Sequence, residues 1–149
     1  MIDNTNFSIL TNVLFLKTCI LFENITSVEL KSIAIISEEI YYEASDEIVR
    51  EGEIGDSLYL IKNGSVEIRS GIGKKSSLKG ELFTGDYFGD VAVVNETVWM
   101  ESYYARAKCS LLVIKKDDLV DIMRENPEIA IAMLHFFAKR IQLLRFGVK

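Results

Sequence analysis

Eight of the nine glycines of this chain fall between Gly52 and Gly89, never more than nine residues apart. A helix of ordinary length does not survive that spacing, because an interior glycine is less favourable there than alanine by about 1 kcal/mol. Short strands joined by turns tolerate it. The stretches between the glycines carry strand chemistry: Leu58 to Ile61 and Val66 to Ile68 are apolar runs of strand length, joined through Asn63-Gly64. That dipeptide predicts a hairpin, since both residues accept positive φ. "EIYYEASDEIVREG" reads as two short strands around Ser45-Asp46, and "CSLLVIKK" as the last strand. Seven or eight short strands with no helix between them imply an antiparallel roll or sandwich.

Helices flank this region. Ile9, Val13, Leu14 and Leu16 are spaced as on one helix face, predicting a short helix over Ser8 to Lys17. Thr26 precedes Glu29 by three residues, a capping box, and Val28, Ile33 and Ile36 extend a second short helix from it. Asp117 and Asp118 suit a helix start, and "DDLVDIMREN" should stop before Pro127. From Glu128 to about Arg145 the apolar residues cover more than one stripe, so this helix has two faces to bury. The expected organisation is one domain over 1–149. It comprises N-terminal helices (1–37), a β-roll (38–116) and a C-terminal helix pair (117–146).

The chain has 149 residues, 49% hydrophobic and 26% charged, with one proline, which is globular rather than disordered. A net charge of -5 argues against a general nucleic-acid surface, and the Lys74-Lys75 pair is too small to reverse it. Cys19 and Cys109 lack CxxC spacing and sit in apolar segments, so buried free thiols in a reducing compartment are expected. The apolar stretch from Phe7 to Phe22 follows the polar "MIDNTN" and contains Asn12 and Lys17, which fits neither a signal peptide nor a membrane span. A soluble, cytoplasmic protein is the expectation.

Four segments together resemble the cyclic nucleotide-binding domain, the β-roll module of catabolite-activator-type regulators, kinase regulatory subunits and gated channels. "REGEIGDSLYLIKNGSVEI" resembles its glycine-punctuated hairpin and "GDYFGDVAVV" its phosphate-binding cassette. "SYYARAKCSLLVI" resembles the strand pair after the cassette, and "LKTCILFENITSVELKSIA" the helical lead-in. The likeness runs from about Lys17 to about Ile141. It implies a mainly β fold, an antiparallel β-roll or double-stranded jelly roll with flanking helices, and a cassette near 86–102.

The resemblance also implies a site. Backbone amides after the cassette glycine face the cyclic phosphate at the start of a short helix, the arrangement by which a helix terminus holds an anion. Phe88, Gly89, Val91 and Ala92 fall on that stretch. Asp90 stands where the family has glutamate for the ribose hydroxyl, one methylene short. Glu101, just before Ser102, stands where the family has the arginine that pairs with the phosphate, and Met100 where it has proline. Loss of a charge-assisted bond, about 1.5–3 kcal/mol, adds to repulsion of about 1–4 kcal/mol between like charges about 4 Å apart. The sum, about 3–7 kcal/mol, weakens binding by about two to five powers of ten. Arg106 is a candidate support residue along the following strand, and Leu143 and Leu144 are candidate cap residues on the terminal helix. Trp99 either stacks on a base or fills the core or the emptied pocket.

Catalysis and metal chemistry are not expected. His135 is the single histidine and sits in an apolar helix, so neither a multi-histidine metal centre nor a Ser/His/Asp set assembles around it. The implied function is a stand-alone, non-catalytic sensor module whose affinity for cAMP or cGMP is lowered by Glu101. The alternative is a binding-deficient version acting as a dimerisation or protein-interaction scaffold through its terminal helix. No cofactor and no membrane insertion are expected. Nor is direct DNA reading, since the residues up to Lys149 leave no room for a helix-turn-helix.

Overall fold

The computed structural model describes residues 4–71 and 75–147. Gly73 and Lys74 lie outside the described residues. The chain divides into two compact units, a helical one of Met1–Ile35 with Asp121–Lys149 and a β unit of Ile36–Val120.

Among the described residues the β unit has eight strands in two four-stranded sheets. These are β1 (Glu38–Tyr42), β2 (Glu47–Val49), β3 (Ser57–Asn63), β4 (Ser65–Ser70), β5 (Ser77–Phe83), β6 (Tyr87–Phe88), β7 (Ser102–Ala105) and β8 (Cys109–Lys115). The orders β1-β8-β3-β6 and β2-β7-β4-β5, antiparallel throughout, make the double-stranded roll that the glycine spacing predicts. Tyr59, Ile61, Val66, Phe88, Trp99, Leu111 and Val113 form the buried core of this unit.

The expected hairpin at Asn63-Gly64 is corrected by the pairing. β3 lies between β8 and β6, and β4 between β7 and β5, so the two strands sit in different sheets. Ser57 to Ile61 are all buried, and both edges of β3 are already taken. Gly64 instead turns the corner from one sheet to the other. Its φ is +93°, and a Cβ there would lie 2.7 Å from the Lys108 carbonyl oxygen and 2.9 Å from the Cys109 α-carbon.

Two further sheet changes share one device. In Glu43–Asp46 and Phe83–Asp86 the aspartate carboxylate accepts from the amide three residues earlier, at 2.8 and 2.7 Å. The aspartate amide donates back to that residue's carbonyl, and the third residue of each turn has positive φ, 75° at Ser45 and 93° at Gly85. The chain thus leaves β1 for β2, and β5 for β6, through the same hydrogen-bonded turn.

In the helical unit α1 is Asn4–Leu16, followed by a 3-10 turn at Ile20–Phe22 and α2 at Ser27–Ile36. The capping box forms as the sequence predicts: Thr26 N donates to Glu29 Oε2 at 3.1 Å, and Glu29 N to Thr26 Oγ1 at 3.4 Å. α3 (Lys116–Glu125) ends before Pro127, the first residue of α4 (Pro127–Phe146). α4 buries Ile129, Ala132, Met133 and Phe136 but leaves Leu134, Ile141, Leu143, Leu144 and Phe146 exposed. These exposed apolar side chains, most of them in the last two turns of the helix, are left uncovered by the described residues.

The corner at Gly64 is testable by chemical denaturation. Gly64→Ala combines positive φ with a backbone collision and should destabilise by about 1–3 kcal/mol. Ser45→Gly relieves the positive φ of an open, exposed turn and should be neutral or stabilising by up to about 1 kcal/mol.

Candidate functional site

After β6 the chain reverses at Gly89, whose φ of +89° is open to glycine and strained for other residues. A Cβ at Gly89 would collide with the Ser57 carbonyl oxygen and lie 2.9 Å from Trp99 Cη2. The absence of a side chain thus lets the loop descend onto β3. One helical turn follows: Val93 N donates to Gly89 O at 3.2 Å, and Asn95 N to Val91 O at 2.9 Å. The amides of Asp90, Val91 and Ala92 come before the first internal donor, where a helical turn has amides to offer. The resemblance implied a short helix at this point. A single turn is present, too short to sum a helix dipole.

Beneath the turn is a cavity of about 200 Å³. It is lined by residues of the turn, Gly89 to Ala92, by Thr97 to Glu101, and by Tyr103 of β7. Asp90 and Glu101 are among its lining residues, and among the described residues no lysine, arginine or histidine lines it. The volume lies below the range of about 300–1,000 Å³ usual for small-molecule pockets. A larger cleft, about 750 Å³, adjoins at Thr97 and Val98 and runs to Lys115 through Asp118.

Aromatic packing accounts for the small size. The Phe88 ring is stacked between Tyr59, at 4.8 Å, and Tyr103, at 4.1 Å, each within 6° of parallel. Trp99 meets Tyr59, Phe88 and Tyr103 at 5.9 to 6.0 Å, tilted or edge-on, and is buried. Trp99 is thus packed into the buried core cluster of the β unit, on the side that lines the cavity. Tyr103 and Tyr104 alternate as expected across a strand: Tyr103 faces the core, and the Tyr104 hydroxyl donates to Glu47 at 3.2 Å.

The other candidate residues are placed elsewhere. Ser102 is buried, and its Oγ accepts from the Glu51 amide at 2.9 Å, joining β7 to the loop after β2. Arg106 lies just past β7 and pairs with Glu81, in a separate concavity with Arg69, Glu67 and Tyr104. Leu143 and Leu144 are on the exposed part of α4 in the helical unit. Gly55 was read only as strand punctuation. A Cβ there would lie 2.8 Å from Ala92 Cβ and 3.7 Å from Trp99 Cε2, so it too makes room under the turn. Glycine spacing was the one available signal for it, and that spacing does not distinguish a turn from a close contact.

Among the described residues no cluster of three or more His, Cys, Asp or Glu is placed to hold a metal, and no helix is long and apolar enough to cross a membrane. Cys19 and Cys109 are free and buried, and burial pushes the Cys19 thiol up to about 11.

The fold is a two-sheet antiparallel roll with a glycine-led turn lying on its third strand. The family model described as cyclic nucleotide-binding domain matches residues 39–126, and the chain belongs to that family. It is 29% identical over 120 residues to a cAMP-dependent protein kinase regulatory subunit of Eremothecium gossypii, covering 75% of this chain and 25% of that one. A second such subunit, of Debaryomyces hansenii, is 41% identical over 83 residues, covering 55% and 18%. Among solved structures, the regulatory domain of Toxoplasma gondii PKA with cAMP superposes with a TM-score of 0.78 at 21% identity, covering 92% of this chain and 51% of that one. The N-terminal domain of a Streptomyces coelicolor transcriptional regulator gives 0.82 at 19%, covering 91% and 97%. The chain spans about a quarter of the length of the first of these kinase subunits.

Burial pushes the Tyr103 phenol up to about 12, and the Glu101 and Asp90 carboxylates push it the same way; burial does the same to Tyr59. A phenol with a raised folded-state value stabilises fully below its unfolded value near 10, and that contribution is lost as pH rises through about 12. Of the six tyrosines, two should therefore ionise near pH 12 in a spectrophotometric titration. Glu101→Gln should lower one of those two transitions and leave the other in place.

Proposed function

We propose that this chain is a non-catalytic regulatory module of the cyclic nucleotide-binding family whose pocket has lost most of its affinity for cAMP and cGMP. The observation that carries the reading is the set of residues around the cavity under the cassette turn: Asp90 and Glu101 line it, and among the described residues no cationic side chain does. A cyclic phosphate there would meet two carboxylates and would depend on the amides of a single turn. Arg106 does not supply the missing cation, because Glu81 already engages it outside this cavity. The kinase regulatory subunits and regulator domains that this chain resembles support a signalling rather than an enzymatic role.

The mechanism we propose is a population shift. Occupation of the cassette would favour one position of its turn, and of the terminal helix carrying Leu143 and Leu144, over another. A ligand shifts such an equilibrium only by its differential affinity for the two states. Calorimetric titration with cAMP and with cGMP at moderate salt tests the reading. Dissociation constants in the millimolar range or weaker are expected; micromolar binding to either would overturn it.

A second reading, a binding-deficient interaction scaffold, is favoured by the exposed Ile141, Leu143, Leu144 and Phe146 at the end of α4. Exposed apolar side chains in such density mark interaction surfaces. Sedimentation of the full chain against a Leu143→Glu, Leu144→Glu variant separates the two. A dimer that becomes a monomer in the variant supports the scaffold. Equal masses remove this basis for a homodimer.

A further inference from the structure

We infer that Trp99 is a built-in occupant of the ligand volume beneath the cassette turn, so that the pocket excludes cyclic nucleotides by size as well as by charge. The inference rests on the site assignment above, but its cause is distinct from the charge of Glu101.

Three observations carry it. The indole sits directly under the residue that defines the cassette: its Cη2 would be 2.9 Å from a Cβ at Gly89, tighter than van der Waals contact. A second glycine clears space for the same ring, since a Cβ at Gly55 would lie 3.7 Å from Trp99 Cε2. Two glycines far apart in the sequence thus leave an indole-shaped gap, and both carbons belong to the six-membered ring.

The backbone on either side holds that ring in place. Trp99 N donates to Glu53 O, and Gly52 N to Trp99 O, each at 2.8 Å, so the residue is clamped to the loop carrying Gly55. The ring edges then meet Tyr59, Phe88 and Tyr103 within 6.0 Å. A side chain held at both main-chain atoms and on its ring edges is part of the packed core, unlike a gate that swings aside.

The third observation is the remainder. With the indole in place about 200 Å³ is left, bounded by Trp99 itself on one side. That is less than the range of about 300–1,000 Å³ usual for small-molecule pockets, and the indole bounds it on the side toward Gly55. Removing the indole joins its volume to the cavity, and apolar voids of about 150 Å³ already admit a ring the size of benzene.

The test uses Trp99→Ala, Glu101→Arg and the double variant, each titrated with cAMP and cGMP after circular dichroism has established that it folds. Glu101→Arg alone should remain weak, because charge is restored but space is not. The double variant should bind at least about tenfold more tightly than Glu101→Arg alone, the least that a pocket of the wrong size discriminates. Equal affinity of these two would overturn the inference and leave the charge reading intact. Micromolar binding by Trp99→Ala with Glu101 in place would do the reverse, supporting Trp99 as the occupant and removing Glu101 as the barrier.

A readout independent of nucleotide guards against loss of fold. Free indole should raise the melting temperature of Trp99→Ala, or of the milder Trp99→Leu, and leave the wild type unchanged. A folded variant that indole does not stabilise would count against an occupied ligand volume. Trp99 is the single tryptophan, so wild-type fluorescence reports this site alone. Its emission should be shielded from iodide and unmoved by cAMP; ready quenching by iodide would overturn the packing on which the inference stands.

Discussion

The close approach of Gly89 to the Ser57 carbonyl oxygen is the contact on which the site depends. A cassette turn held one side chain's width above β3 would have no floor, and its amides would face water. By resting its α-carbon on the strand, the turn brings Asp90, Val91 and Ala92 over the aromatic cluster. The requirement is double: positive φ, which glycine meets without strain, and no Cβ, which glycine alone meets. Gly64 meets the same pair of requirements at the sheet corner, against Lys108 and Cys109. The roll closes because two backbone segments come closer than any side chain would allow.

Much of this was legible in the sequence because it is local. Thr26 and Glu29 form their capping box within four residues, and the turn read at Ser45-Asp46 closes within four as well. The long apolar arc of α4 was visible from its period, but the expectation that both faces are buried is not met among the described residues, where Leu134, Ile141, Leu143, Leu144 and Phe146 are exposed. Local chemistry misled once. Asn63-Gly64 carries the turn preferences of a hairpin, but those preferences describe φ and say nothing of which strand pairs with which. The buried run from Ser57 to Ile61 placed β3 inside a sheet whose edges were claimed by β6 and β8, from far along the chain.

The site was half legible for the same reason. The carboxylates at Asp90 and Glu101 were identified by alignment with a family pattern, and the cavity contains both. Ser102 and Arg106 were placed by strand proximity, yet one faces the Glu51 amide and the other Glu81. Strand β7 ends at Ala105 and is bulged against β2, so counting along it does not carry Arg106 to the pocket that Tyr103 lines. The role of Gly55 required the third dimension outright, since its neighbours Ala92 and Trp99 are about forty residues away in sequence.

Charge and size act at this site on different steps of recognition. Repulsion from Glu101 falls as salt screens it, and more so because the side chain is partly solvated. Exclusion by a packed indole does not respond to salt, since it is a matter of occupied volume. A pocket emptied of its cation but still open would retain a purine-sized hole lined by apolar groups. Such a hole is destabilising in proportion to its volume. Filling it with an aromatic that contacts Tyr59, Phe88 and Tyr103 removes that penalty and recovers the packing of the roll. On the proposed reading, the acid at position 101 and the indole at 99 would answer to one condition: where no anion is stabilised, neither a cationic partner nor an empty volume adds stability, whereas a packed side chain does.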